Sequence, residues 1–232
     1  MVAMAGTGRV MALGLAHLAK VAREVPKVER VSHLTKLSDS EMVDVAKSLV
    51  DQLDGGPFWL FAYGSLIWRP DFEQVEARRG VVHGWRRSFC LRILDWRATP
   101  EQPGLMLALQ RGGACTGVAY RMPDDDPPSR MLRLLKREIS YREDLSWTRW
   151  VTVRGPEGPV RALAFYCAPE GDPDVERLTT DEQARRLALA VGPAGSCAEY
   201  LYNTVSHLEA LGIRDGYLWD LQARVAAAID RL

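Results

Sequence analysis

A glutamate set into an apolar helix face is the first residue of this chain that calls for a chemical explanation. Pro127-Pro128-Ser129 opens a helical stretch that runs through Met131, Leu132, Leu134, Leu135, Ile139 and Tyr141. Proline suits a first helical turn, where its missing N–H has no partner to lose. At about 100° per residue the apolar side chains fill one side of the helix. Glu138 falls near the middle of that side, between Leu134, Leu135 and Arg142, whereas Lys136 and Arg137 lie outside it. A carboxylate aimed at the interior is expensive unless it is paired, protonated or functional. Two readings follow. Glu138 pairs with Arg142 one turn on, in the favourable i,i+4 orientation. Alternatively it projects into a pocket as a general base, with burial raising its pKa into a useful range. Glu143, at the edge of the same stripe, is the rival acid.

The pocket needs a second wall, and Phe58-Trp59-Leu60-Phe61-Ala62-Tyr63-Gly64-Ser65-Leu66-Ile67-Trp68 offers one. An aromatic-rich apolar run of this length reads as a buried strand. At Tyr63-Gly64-Ser65 it changes character. Glycine admits backbone angles closed to other residues and lets a ligand approach the main chain. Ser65 supplies a hydroxyl, and the N–H groups that follow can form an anion-binding concavity. An ordinary strand and tight turn is the plainer reading.

Further elements must hold these two together. Val81 to Leu94 alternates as a half-buried strand, bulged at Gly84. Arg87 interrupts its apolar face, either as a receptor for a substrate carboxylate or as a structural ion pair or snorkelling side chain. Leu105–Leu109 and Ala114–Tyr120 read as two strands around Arg111-Gly112-Gly113; Trp147–Val153 and Val160–Cys167 form a hairpin across Gly155-Pro156-Glu157-Gly158-Pro159. Ser38-x-x-Glu41, Thr180-x-x-Gln183 and Ser196-x-x-Glu199 are capping-box patterns. Gly192-Pro193 and Gly212 close the helices they follow, and a last helix starts near Tyr217. Antiparallel strands with intervening and trailing helices make the fold class α+β.

The 232 residues suit one core, with charges that balance to zero. Nucleic-acid binding would need a clustered basic surface, and none is apparent. Cys90, Cys115, Cys167 and Cys197 are scattered, so neither a zinc site nor a disulfide framework is expected and a cytoplasmic location fits. No apolar run is long enough to span a membrane. Metal, nucleotide and serine-hydrolase motifs are missing from the sequence. The segment before Pro57 reads as an extension, 1–56, carrying one capped helix after Ser38 and ending at Asp54-Gly55-Gly56-Pro57. Its first 36 residues are a docking helix or a loose tail, with an organellar transit peptide as the lesser alternative.

Tyr63-Gly64-Ser65-Leu66, continuing into Ile67-Trp68-Arg69-Pro70-Asp71-Phe72, resembles the signature of the ChaC-type γ-glutamylcyclotransferases. So do Arg97-Ala98-Thr99-Pro100-Glu101-Gln102-Pro103-Gly104, Gly117-Val118-Ala119-Tyr120-Arg121, Lys136-Arg137-Glu138, Gly192-Pro193-Ala194-Gly195 and Glu199-Tyr200-Leu201, in the family's order. Ala62 and Ala98 stand where the family commonly has glycine. The resemblance implies a small, mostly antiparallel, partly closed barrel with flanking and C-terminal helices over residues 57–232. It also implies cleavage of glutathione to 5-oxoproline and Cys-Gly by the substrate's own α-amine, with no metal or cofactor. Glu138 is then the catalytic base; Ala62, Tyr63, Gly64, Ser65, Leu66 and Ile67 line the substrate, joined by Arg87 and by Tyr200 as a phenolic donor. Tyr200 also reads as a plain core residue of an amphipathic helix. The expected partner is a small molecule, glutathione or another γ-glutamyl compound, with no nucleic acid and no membrane; no oligomeric state is assigned. Cyclisation of other γ-glutamyl amines, a non-catalytic binding module and an amidohydrolase are the alternatives.

Overall fold

The computed structural model describes residues 9–27 and 34–232. The parts of the extension at 1–8 and 28–33, on which the transit-peptide alternative partly rests, lie outside the described residues. In chain order the elements are α1 (Leu15–Val21), α2 (Asp39–Asp51), β1 (Trp59–Ala62), α3 (Ser65–Trp68), β2 (Glu76–Ile93), β3 (Gly104–Arg121) and α4 (Pro127–Glu138). A 3-10 turn at Glu143–Trp147 leads to β4 (Arg149–Gly155), β5 (Gly158–Ala164), α5 (Thr180–Leu189), β6 (Val191–Gly192), β7 (Gly195–Ser196), α6 (Cys197–Ala210) and α7 (Gly216–Asp230). The described residues pack as two compact units, one of 34–91 with 107–175, the other of 9–27, 92–106 and 176–232.

The first unit is built on a closed barrel, in the order β1-β3-β2-β4-β5. β1 runs antiparallel to β3, with Leu60 opposite Tyr120 and Ala62 opposite Val118. Closure comes from a parallel contact of Leu60 with Leu163 on β5. All four residues of β1 are buried, as an apolar run walled on both faces must be. The expected β4–β5 hairpin turns at Pro156-Glu157, with Gly158 at φ +95. β3, expected as two strands, is a single one of 18 residues. Gly112 and Gly113, at φ +99 and +75, carry the bend, so the strand continues instead of stopping. Gly64 has φ −142, so a left-handed backbone is not what the glycine supplies there.

The capping box at Ser38 and Glu41 forms as expected, and α2 packs on α4. α4 stops at Glu138 and does not reach Tyr141, because Ile139 is already extended at φ −121, ψ 124. The Asp144 carboxylate captures the Ser140 and Tyr141 N–H groups at 3.1 and 3.0 Å. A side chain that offers backbone donors an acceptor outside the helix ends the helix there.

The second unit is helical, with α5, α6 and α1 against α7. Leu13 donates its N–H to Gln222 Oε1 at 2.8 Å and Lys20 Nζ reaches the Ile229 carbonyl at 3.0 Å, so this part of the extension is a docked helix. The cap of α5 sits one residue earlier than expected, on Thr179 and Glu182. Gln183 is instead buried and accepts from Tyr217 Oη at 2.8 Å. Ser196 caps α6, but Glu199 leaves the box for Arg97 Nη1 at 2.6 Å. Gly192 lies in β6 and is not a helix stop; a Cβ there would meet the Trp96 carbonyl at 2.3 Å. Gly212, at φ +68, follows α6 as expected.

Candidate active site

Glu138 is the last residue of α4, and its side chain keeps only 10% exposure. Its expected partner was Arg142. That arginine instead pairs with Glu41 on α2. Arg137 takes its place, with Nε 2.8 Å from Glu138 Oε1. The guanidinium also holds Nη1 3.1 Å from Asp71 Oδ2, just past α3. Burial raises the Glu138 pKa above the usual carboxylate range; Arg137 pulls it down and Asp71 adds to the rise. Glu143, the rival acid, is exposed and accepts the Thr35 N–H at 3.0 Å. The bonds it accepts lower its pKa.

The strand–turn from Ala62 to Ile67 stands on the same unit. Ala62, Tyr63 and Leu66 are buried, whereas Ser65 and Ile67 are half-buried. Gly64 caps the short helix α3, with the Ile67 N–H bonded to its carbonyl at 2.9 Å. The N–H groups of Ser65 and Leu66 open that turn, where no earlier carbonyl of the helix can reach them. Tyr63 Oη donates to the Phe165 carbonyl at 2.9 Å, and Tyr166 Oη donates to the Glu138 carbonyl at 2.6 Å. Consecutive residues after β5 therefore tie the turn and the acid to one support.

Arg87 is 4% exposed, so of the alternatives weighed from the sequence it is not a snorkelling side chain. Its Nε bonds the Tyr63 carbonyl at 2.7 Å and its Nη2 the Thr116 carbonyl at 2.6 Å. Those bonds fix the end of β1 to β3. Gly117 lies beside them, where a Cβ would stand 2.4 Å from the Ala62 carbonyl. The close approach is to backbone, so it would hold for any residue at position 62. Tyr200 belongs to the helical unit. It is buried there, with its ring edge-on to Trp96 at 6.5 Å and the Arg97 guanidinium 5.8 Å away.

The motif pieces sort by unit. Tyr63–Phe72, Gly117–Arg121 and Lys136–Glu138 belong to the barrel unit; Arg97–Gly104, Gly192–Gly195 and Glu199–Leu201 belong to the helical one. Residues that the sequence left without a role are Asp71, Arg137 and Tyr166. Asp71 stood inside a quoted motif, but only its placement against Arg137 distinguishes it from any loop aspartate. A cavity of about 200 Å³ is lined by Asp71, Arg137, Arg133, Phe72 and Leu134, beside the acid's partners. A larger concavity of about 580 Å³ opens on Gly55–Trp59, at the other end of β1, and neither Glu138 nor the 62–67 turn lines it. Size alone does not mark the chemistry; the buried acid does.

A barrel unit with a buried, arginine-held glutamate and a Tyr-Gly-Ser turn invites comparison with known families. The ChaC-like protein family model matches residues 58–228, and the chain belongs to this family. The glutathione-specific γ-glutamylcyclotransferase of Escherichia coli K12 is 38% identical over 190 residues, covering 81% of each chain. The enzyme of the same name from Schizosaccharomyces pombe is 32% identical, over 73% of this chain and 93% of its own. Among solved structures, a glutathione-specific γ-glutamyl cyclotransferase from yeast superposes with a TM-score of 0.65 at 21% identity, over 74% of this chain and 96% of that one. Its likeness bears out the fold, including the barrel and its C-terminal helices.

Proposed function

We propose that this chain cleaves glutathione by intramolecular aminolysis, releasing 5-oxoproline and Cys-Gly. The observation that carries the reading is Glu138, a buried carboxylate of raised pKa at the end of α4, in a member of a family whose curated relatives bear that activity in their names. The α-ammonium of the γ-glutamyl group gives Glu138 a proton. The freed amine attacks the γ-carbonyl and closes a five-membered ring. The ring nitrogen of the tetrahedral oxyanion still carries two hydrogens and loses one as the oxyanion collapses and the C–N bond to cysteine breaks. Glu138 returns its proton to the leaving nitrogen, which takes up the second as well, so that Cys-Gly departs as its ammonium. One carboxyl group serves as base and then as acid. Folding the substrate so that the amine lies over the carbonyl supplies much of the rate, as in other well-oriented intramolecular reactions.

The remaining residues have supporting roles. The Ser65 and Leu66 N–H groups and the Ser65 hydroxyl suit the oxyanion or the α-carboxylate, which fixed donors stabilise best. Ala62, Tyr63, Gly64 and Ile67 shape the wall, and Arg87 acts through the Tyr63 carbonyl it holds. Residues 57–232 form the catalytic domain, which the family match over 58–228 supports. We place the protein in the cytoplasm, in keeping with four free, buried cysteines; among the described residues no helix is long and apolar enough to cross a membrane.

Product analysis with free and N-acetylated glutathione tests this. Free glutathione yields 5-oxoproline and Cys-Gly with no glutamate, and in heavy-oxygen water the 5-oxoproline carries no label. The acetylated compound is not turned over, because its nitrogen lone pair is delocalised. Glutamate release or turnover of the acetylated compound overturns cyclisation. Turnover of other γ-glutamyl compounds but not of glutathione overturns only the substrate.

A further inference from the structure

Asp71 stands at φ +38, in the left-handed region that aspartate and asparagine adopt more readily than most residues. That turn directs its carboxylate to the Arg137 guanidinium, with Nη1 3.1 Å from Oδ2. The same guanidinium donates from Nε to Glu138 Oε1 at 2.8 Å. One cation is therefore shared by two carboxylates. The Nη1 contact is ionic and lacks the alignment of a hydrogen bond, whereas the Nε contact to Glu138 is a hydrogen bond. Arg69 Nε stands 3.2 Å from the same Asp71 oxygen, so the aspartate is itself held by a second cation.

We propose that Asp71 is a positioning residue for the reaction: it draws part of the Arg137 charge away from Glu138, so that Arg137 orients the acid without silencing it as a base. This rests on Glu138 being the base. The charged groups bearing on Glu138 are Arg137 from α4 and Asp71 from the loop after α3. Tyr166, after β5, bonds the Glu138 carbonyl and not its carboxylate. Neighbouring charges are engaged elsewhere: Lys136 with Asp39, Arg142 with Glu41, Arg130 with Glu73 and Asp125. With both partners in place the carboxylate is held by a donor yet remains basic enough to take an ammonium proton, the balance a general base needs. The loop that leaves the Tyr-Gly-Ser turn thereby acts on the acid of another element.

The sign of the effect is fixed by charge. Removing Asp71's charge favours ionised Glu138, and removing Arg137's disfavours it. Asp71→Asn suits the left-handed backbone and keeps the fold. Its acid limb in kcat/KM moves to lower pH and its plateau falls, so the variant-to-native activity ratio is several-fold higher at pH 5 than at pH 8. Arg137→Gln moves the limb to higher pH, and Arg137→Lys, which keeps the charge, moves it less. Carbon-13 NMR titration of the Glu138 carboxyl reads the same opposite displacements without turnover. If both variants shift the limb and the titration the same way, or neither shifts them, the proposal is overturned. Glu138→Gln separates the two claims: a dead Glu138→Gln with unmoved profiles refutes only the role of Asp71, whereas an active one refutes the base itself.

Discussion

Glu138 is costly to ionise where it sits, and that cost gives its first test. Its folded pKa lies above its unfolded one, with burial as the largest cause. Between the two values the native state holds a proton that the unfolded state has released, so stability falls as pH rises through that window. Glu138→Gln removes this loss. The variant should melt no lower than the native protein at neutral pH, and its relative gain should vanish below the unfolded pKa; calorimetry across pH reads both. Turnover should drop by about 10²–10⁴-fold, the usual range for one acid–base group. A stable, inactive Glu138→Gln beside an active Glu143→Gln is the expected pair. The position of Glu138 was legible in the sequence because an apolar stripe makes a lone carboxylate conspicuous. Its partner was not. Helical angles put Arg142 one turn on, but the helix ends at Glu138, and beyond that residue the angles no longer apply.

At the scale of elements, the turn after β1 depends on what faces it across the barrel wall. Gly117→Ala places a Cβ 2.4 Å from the Ala62 carbonyl and 2.7 Å from the Phe61 ring. Backbone cannot yield as a flexible side chain does, so the strand pair must shift. The expected cost is about 1–3 kcal/mol, the range for overpacking, with turnover falling further than stability alone requires. Gly158→Ala is the control. It sits at φ +95 with open space around it, so it strains a hairpin and should leave the turnover of the folded protein intact. Denaturant unfolding paired with rates measured well below the melting temperature distinguishes the two. Strands and helices were largely legible, since period and turn residues announce them. Their limits were less so. Gly112-Gly113 reads as a break until the backbone shows a bend, and Thr179 and Thr180 both fit a capping pattern until burial of Gln183 decides between them.

For the whole molecule, barrel closure rests on a short parallel contact between β1 and β5, where Leu60 meets Leu163. Both are fully buried. Leu163→Ala should cost about 2–5 kcal/mol, as large-to-small core changes do, measured as a lower denaturant midpoint. The division into two units was not legible, because the helical one gathers residues 9–27, 92–106 and 176–232, which only the folded chain brings together. The cysteines bear on the whole protein too. All four are free and buried, and burial pushes the Cys90, Cys167 and Cys197 thiols up to about 11, 12 and 11. Thiolates, which do the exchanging, are then scarce and shielded. A disulfide-exchange reagent should find almost no titratable thiol in the native protein and all four after denaturation. If the chain turns over a thiol substrate as proposed, an exposed cysteine would invite mixed disulfides with that substrate's oxidised form; four buried thiols leave such a reaction nothing to reach in the folded protein.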